Sequence, residues 1–154
     1  MFPHVLVDDS FILFRYADNF KHGLGLNFNS GEHLQSYTGF LMLGLYILLP
    51  FGYNVVAVLI GVLSYVFSLY FIYKLSSPET RILFVCCFAF SPAILVHVFS
   101  GLETTLFMML TFSVYYFWRE KKDFHLLLAT ILLSLCRPEG LLISIVLLTF
   151  RRVK

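Results

Sequence analysis

Residues 1 to about 38 form the polar part of the chain, and beyond it apolar runs dominate with polar residues confined to short breaks. From His33 to Tyr73 there is no Asp, Glu, Lys or Arg. About 20 apolar residues suffice to cross a bilayer as a helix, so "YNVVAVLIGVLSYVFSLYFIY" at 53–73 reads as a full span. "PFGYN" separates it from a shorter apolar helix at 39–50, "GFLMLGLYILL", which is expected to lie along the surface or dip in rather than cross. Further spans are predicted at 82–99 and 104–118, joined by the turn "SGLE". A last apolar run at 124–150 is interrupted by "RPEG", where Pro138 predicts a broken helix, two halves meeting at the proline.

The polar part, residues 1–38, holds four of the nine acidic groups (Asp8, Asp9, Asp18, Glu32) and three of the five histidines. "DDSFILFRYADNFKHG" predicts a short amphipathic helix with Asp9 or Ser10 as its N-cap and Gly23 as its stop. Asn29-Ser30-Gly31 carries turn chemistry. Two regions follow: a loop with an acidic motif at 1–38 and a membrane domain at 39–154.

Composition turns this pattern into a fold class. The 154 residues are 59% hydrophobic and 18% aromatic but only 13% charged, against roughly 25% charged in ordinary soluble domains. Eighteen phenylalanines exceed what a core of this size hides. The expected fold is all-α, a multi-pass transmembrane helical protein with membrane lipids as its solvent. A net charge of +2 with no basic stripe argues against a nucleic-acid partner. Cys86, Cys87 and Cys136 form no disulfide framework, and they and the histidines lack metal-ligand spacing, so no metal site or cofactor is expected. The need for a divalent cation stays open. "MFPHVLVDDS" lacks the basic start and apolar core of a signal peptide.

Most cations fall into three groups: Lys74 with Arg81, Arg119 with Lys121 and Lys122, and Arg151, Arg152 with Lys154. The positive-inside rule puts these groups on the cytoplasmic side. Parity then places "SGLE", "RPEG", the start of the span at Tyr53 and residues 1–38 on the opposite, extracytoplasmic side, provided that 39–50 does not cross. The acidic pair, Glu103, and Arg137 with Glu139 would converge at one membrane boundary. Ionisable groups held in a membrane domain mark a functional site by default.

Three ordered blocks carry a resemblance: "DDSFILFRYADNFKHGLGLNFNSGEHLQSYTGFL", "SGLETTLF" at 100–107 and "CRPEGLL" at 136–142. Together they resemble the GT-C superfamily of membrane glycosyltransferases, in particular the branch of cell-wall arabinofuranosyltransferases. The resemblance implies a transfer enzyme of the cytoplasmic membrane that takes sugar from a polyprenyl-phosphate donor to an extracytoplasmic acceptor. It implies a general base in the first outer loop, Asp8 by position with Asp9 the second choice. It further implies substrate contacts from Arg15, Glu103, Arg137 and Glu139, with Arg15 or Arg137 neutralising the leaving phosphate. Ser36 and Gly39 stand where the family pattern has Gly and Asn around "YT". Family members carry a spanning helix ahead of the aspartates and further spans, so the chain reads as an N-terminal fragment.

Each candidate also has a structural role open to it. Asp8 and Asp9 suit a helix start, and Arg15 with Asp18 suits a local ion pair. Glu103 suits the first turn of a helix, and Arg137 suits pairing with Glu139 across the helix break. His97 suits packing within its helix, and Trp118 beside Arg119 an interfacial anchor. Two other functions remain open: a truncated, non-catalytic membrane protein, either a gene remnant or a partner subunit, and a small transporter built on the broken helix at "RPEG". Sugar, acceptor and oligomeric state are not legible.

Overall fold

A computed structural model describes residues 6–29 and 37–152, with side chains to Thr149. His4, Glu32, His33 and the turn residues Ser30 and Gly31 lie outside the described residues, as does Lys154. Among the described residues the chain is all-helical, in the order α1 (Asp8–Lys21), α2 (Phe40–Leu48), α3 (Tyr53–Leu75), α4 (Arg81–Ala89), α5 (Pro92–Phe99), α6 (Thr104–Arg119), α7 (Asp123–Cys136) and α8 (Glu139–Arg152).

Of these helices α3, with 23 residues, is long and apolar enough to cross a membrane. The expected span at 82–99 is two helices, α4 and α5, bent by 56°. Pro92 explains the break. It occupies the first position of α5, lacks an N–H to bond Phe88, and its ring crowds that carbonyl. If the bent pair counts as one span, two helices pass. The nine residues of α2 reach about 14 Å, less than half a hydrocarbon core of about 30 Å.

Side-chain contacts fix the helix directions. Phe71 of α3 meets Tyr116 and Phe117 of α6 at 5.5 and 6.1 Å between ring centroids, and Arg119 Nη1 donates to the Leu75 carbonyl at 2.9 Å. The two helices therefore end together, and α4–α5 runs back between them. The His125 ring lies 5.2 Å from Phe117 while Arg137 reaches Glu103, so α7 is antiparallel to α6. Leu142–Leu147 of α8 lie beside Thr111–Tyr115 of α6. The break at Pro138 is thus a hairpin that sends α8 back along α7. Gly140 makes the closure possible, because a Cβ there would overlap the Leu133 carbonyl.

α1 and α2 pack on each other at the end of the bundle where α3 and α6 begin. Their seam is aromatic: Tyr16 and Tyr46 are fully buried, and the Phe14 ring lies 4.9 Å from Tyr46 and 5.4 Å from Tyr53. The α1 cap differs from expectation. The helix starts one residue earlier than Asp9, with Val7 as N-cap and no side-chain cap bond. Ser10 Oγ instead donates to the Val7 carbonyl, and Val7 N–H is taken by the Ser100 carbonyl at 3.0 Å. The helix entry is fixed by the α5–α6 turn rather than by its own aspartates.

Candidate functional site

Where α1, the 37–39 segment, the α5–α6 turn and the α7–α8 hairpin meet, they enclose a cavity of about 370 Å³. Its polar lining is Asp9, Tyr37, Thr38, Glu103 and Arg137, over a floor that includes Ile12, Leu13 and Leu102. Each of the three sequence blocks contributes one charged residue: Asp9, Glu103 and Arg137.

The α5–α6 turn is shaped for this meeting. Gly101 takes φ 78°, a conformation open to glycine at no steric cost, and a Cβ there would lie 2.8 Å from the Leu6 side chain. Tyr46 Oη donates to the Gly101 carbonyl at 2.9 Å, tying α2 to the same turn. Burial first and the Glu103 carboxylate second push the Tyr46 phenol well above its ordinary pKa, so it remains a donor at neutral pH. Glu103 ends the turn as N-cap of α6, with a side chain 11% exposed.

Glu103 Oε1 accepts from Arg137 Nε at 2.9 Å. Arg137 itself sits in extended backbone, φ −150° and ψ 147°, between α7 and α8. That geometry turns its side chain back onto α6, where the guanidinium also lies 5.8 Å from the Phe107 ring. The expected local pairing of Arg137 with Glu139 is therefore replaced by a pairing across 34 residues. Glu139 lies exposed in the first turn of α8 and does not line the cavity.

Of the acidic pair, Asp9 lines the cavity and Asp8, also exposed, does not. Arg15 is likewise outside it. Its Nε reaches the Phe28 carbonyl at 3.4 Å, while Asn19 Nδ2 binds the Asn27 carbonyl at 2.6 Å, and together they hold the Leu24–Phe28 loop against α1. The expected Arg15–Asp18 pair gives way to other partners, because Asp18 faces Tyr53 Oη at 3.5 Å and His22 Nδ1 at 3.7 Å.

Tyr37, Thr38 and Gly39 line the cavity and were not among the expected site residues. Their signal was "YTG" at the end of the first block, where Ser36 and Gly39 depart from the pattern and no site role was assigned. At Gly39 an added Cβ would stand 3.5 Å from Glu103 Cδ, an ordinary contact distance, so this segment passes directly beside the Glu103 carboxylate. Burial, then the neighbouring Tyr16, raise the Tyr37 phenol above its usual pKa, which favours a neutral hydroxyl beside the cavity.

Chemically the arrangement offers an exposed carboxylate, a guanidinium held by one nitrogen, and hydroxyls from Tyr37 and Thr38. The two Nη groups of Arg137 have no hydrogen-bond partner among the described residues, which leaves them available to an anion. No group of three or more His, Cys, Asp or Glu is placed to hold a metal ion among the described residues. Compared with known proteins, the chain matches no family model, no curated protein and no solved structure.

Proposed function

We propose that this chain is a multi-pass membrane protein of the GT-C kind, and that the cavity is a transfer site for a polyprenyl-phosphate-linked sugar. One observation carries the reading: Asp9, Glu103 and Arg137, one from each of three blocks far apart in sequence, line the same cavity. The membrane part is supported by the apolar faces of α3, α4 and α8, where Leu59, Leu63, Phe67, Ile82, Leu83 and Leu142 are each about half exposed or more.

In this mechanism Asp9, rather than Asp8, is the general base. Its carboxylate takes the proton of the acceptor hydroxyl as that oxygen attacks the anomeric carbon. The bond from that carbon to the phosphate oxygen breaks, and polyprenyl phosphate leaves with the electron pair. Arg137 Nη groups neutralise the charge developing on the phosphate, with Nε kept on Glu103. Membranes containing the protein, incubated with a panel of polyprenyl-phosphate sugars, are expected to release the lipid phosphate. Asp9→Asn should lower release by about a hundredfold or more, and Asp8→Asn by much less. Full activity in Asp9→Asn would sink the mechanism.

A non-catalytic partner subunit or remnant is favoured by the cavity's size. Its 370 Å³ is near the small end of the about 300–1,000 Å³ typical of ligand sites. That volume suits one sugar-sized group rather than donor and acceptor together. Binding of a lipid-linked sugar without turnover in the same panel would select this reading.

A further inference from the structure

The opposite end of the bundle gathers cations from two connections. Around the α3–α4 connection these are Lys74 in the last turn of α3 and Arg81 at the start of α4, and around the α6–α7 connection they are Arg119 at the end of α6 with Lys121 and Lys122. The Arg119 bond to the Leu75 carbonyl joins the two connections into one surface. Three of the cations rest on aromatic rings. Lys74 lies 5.8 Å from the Tyr70 centroid, Arg81 4.3 Å from Tyr73, and Lys122 5.9 Å from Tyr116. A ring attracts a cation without cancelling its charge.

The carboxylates on the same segments are Glu79, Glu120 and Asp123. Glu120 stands 3.9 Å from Arg119 with both side chains about half exposed, a weak pairing. Asp123 has an interaction of its own, and Glu79 is exposed. Cations therefore outnumber carboxylates here. The backbone of α8 brings Arg151 and Arg152 toward this same end.

Two N–H donors at this end lack acceptors. Arg81 Nε and Trp118 Nε1 are buried with no hydrogen-bond partner among the described residues. Both atoms are covered by protein, and the Arg81 guanidinium is anchored through Nη2 to the Ser76 carbonyl at 3.5 Å. Directly after Arg81, α4 buries none of its residues, and Ile82, Leu83 and Phe84 are 75%, 62% and 53% exposed. Positive charge thus sits at the head of a bare apolar helix. A soluble anion or a nucleic acid answers the charge but leaves α4 uncovered. An amphiphile with an anionic head and apolar tails answers both.

We infer that this end of the bundle binds the headgroups of anionic phospholipids, with acyl chains laid along α4. The inference rests on the membrane placement proposed above and on none of the transfer chemistry.

Trp118 is the single tryptophan and immediately precedes Arg119, which makes it a reporter for this surface. The full chain is reconstituted in phosphatidylcholine vesicles containing a minor fraction of brominated phosphatidylglycerol or brominated phosphatidylcholine. At low salt the anionic quencher should suppress Trp118 emission about twofold or more beyond the zwitterionic one. Lys74→Gln with Arg81→Gln, and separately Lys121→Gln with Lys122→Gln, should bring the two quenchers toward parity. Glu79→Gln with Glu120→Gln should widen the preference, and this variant removes none of the cations packed on rings. Equal quenching in the unaltered chain overturns the lipid preference while leaving the membrane placement standing. No quenching by either lipid overturns both. A preference unmoved by all three double variants overturns its assignment to these residues.

Discussion

The two ends of the bundle handle charge in opposite ways. At the cavity, Glu103 and Arg137 are brought together from 34 residues apart, at 2.9 Å and with side chains only 11% and 33% exposed. At the far end the cations lie on rings and carbonyl oxygens, and the Arg119–Glu120 pair is long and open to solvent. A buried pair commits the fold to one geometry, because removing either partner strands a desolvated charge. A set of cations mostly open to solvent, with Arg81 half-buried among them, tolerates exchange more readily. One end is therefore specified by position and the other by composition.

Breaking the buried pair should give the largest change in stability. Glu103→Ala leaves Arg137 without its carboxylate and is expected to cost about 3 kcal/mol, the lower part of the range for such sites, since Arg137 is partly exposed. Denaturant unfolding in detergent micelles measures it. Arg119→Gln at the other end should cost less than about 1 kcal/mol in the same assay. Equal losses would erase the contrast between the ends.

Next comes the turn that holds Glu103 in place. Gly101→Ala forces a side chain into φ 78° and against Leu6 and Ser10, and about 2 kcal/mol is expected to be lost. Tyr46→Phe removes the donor to the Gly101 carbonyl and should cost about 1 kcal/mol. Tyr46 also sets an alkaline limit. Its folded pKa is raised above the ordinary 10.0, so the folded form holds the proton that the unfolded chain gives up. This contribution is intact below pH 10.0 and drains as the pH rises toward the folded pKa. An unfolding midpoint that falls no faster above that pH in the unaltered chain than in Tyr46→Phe would remove the linkage.

These differences follow how far each feature could be read along the chain. The apolar runs, the short helix at α2 and the break at Pro138 depend on neighbouring residues, and all are visible in sequence. Pro92 carried the same signal as Pro138, yet its apolar flanks make 82–99 read as continuous where the chain bends by 56°. The cap of α1 was hidden because its satisfying group, the Ser100 carbonyl, is 93 residues away from Val7. Arg137 was matched to Glu139, the nearest carboxylate along the chain, whereas extended backbone at Arg137 directs it to α6. Gathering charges at one end was legible from the order of the apolar runs. Which two of them pair was not, since that depends on the hairpin's closure at Gly140.

The smallest effect is expected where two helix ends share a motif but not a residue. At the end of α1, Leu24 N–H bonds the Asn19 carbonyl and Gly23 takes φ 77°. At the end of α6, Lys122 N–H bonds the Phe117 carbonyl and Lys121 takes φ 57°. Both are left-handed closures of the kind usually given to glycine, and Lys121 is the one non-glycine at positive φ among the described residues. A lysine there bears steric strain that glycine lacks. Glycine in turn loses more freedom on folding, so the two terms partly offset. Lys121→Gly is expected to raise stability by about 0.5 kcal/mol, while Gly23→Ala should lower it by about 1 kcal/mol. Opposite signs from the two substitutions would show that Lys121 holds its position at a cost in backbone strain. A loss of stability in Lys121→Gly would mean that the lysine side chain contributes packing there, and the contrast between the two helix ends would fall.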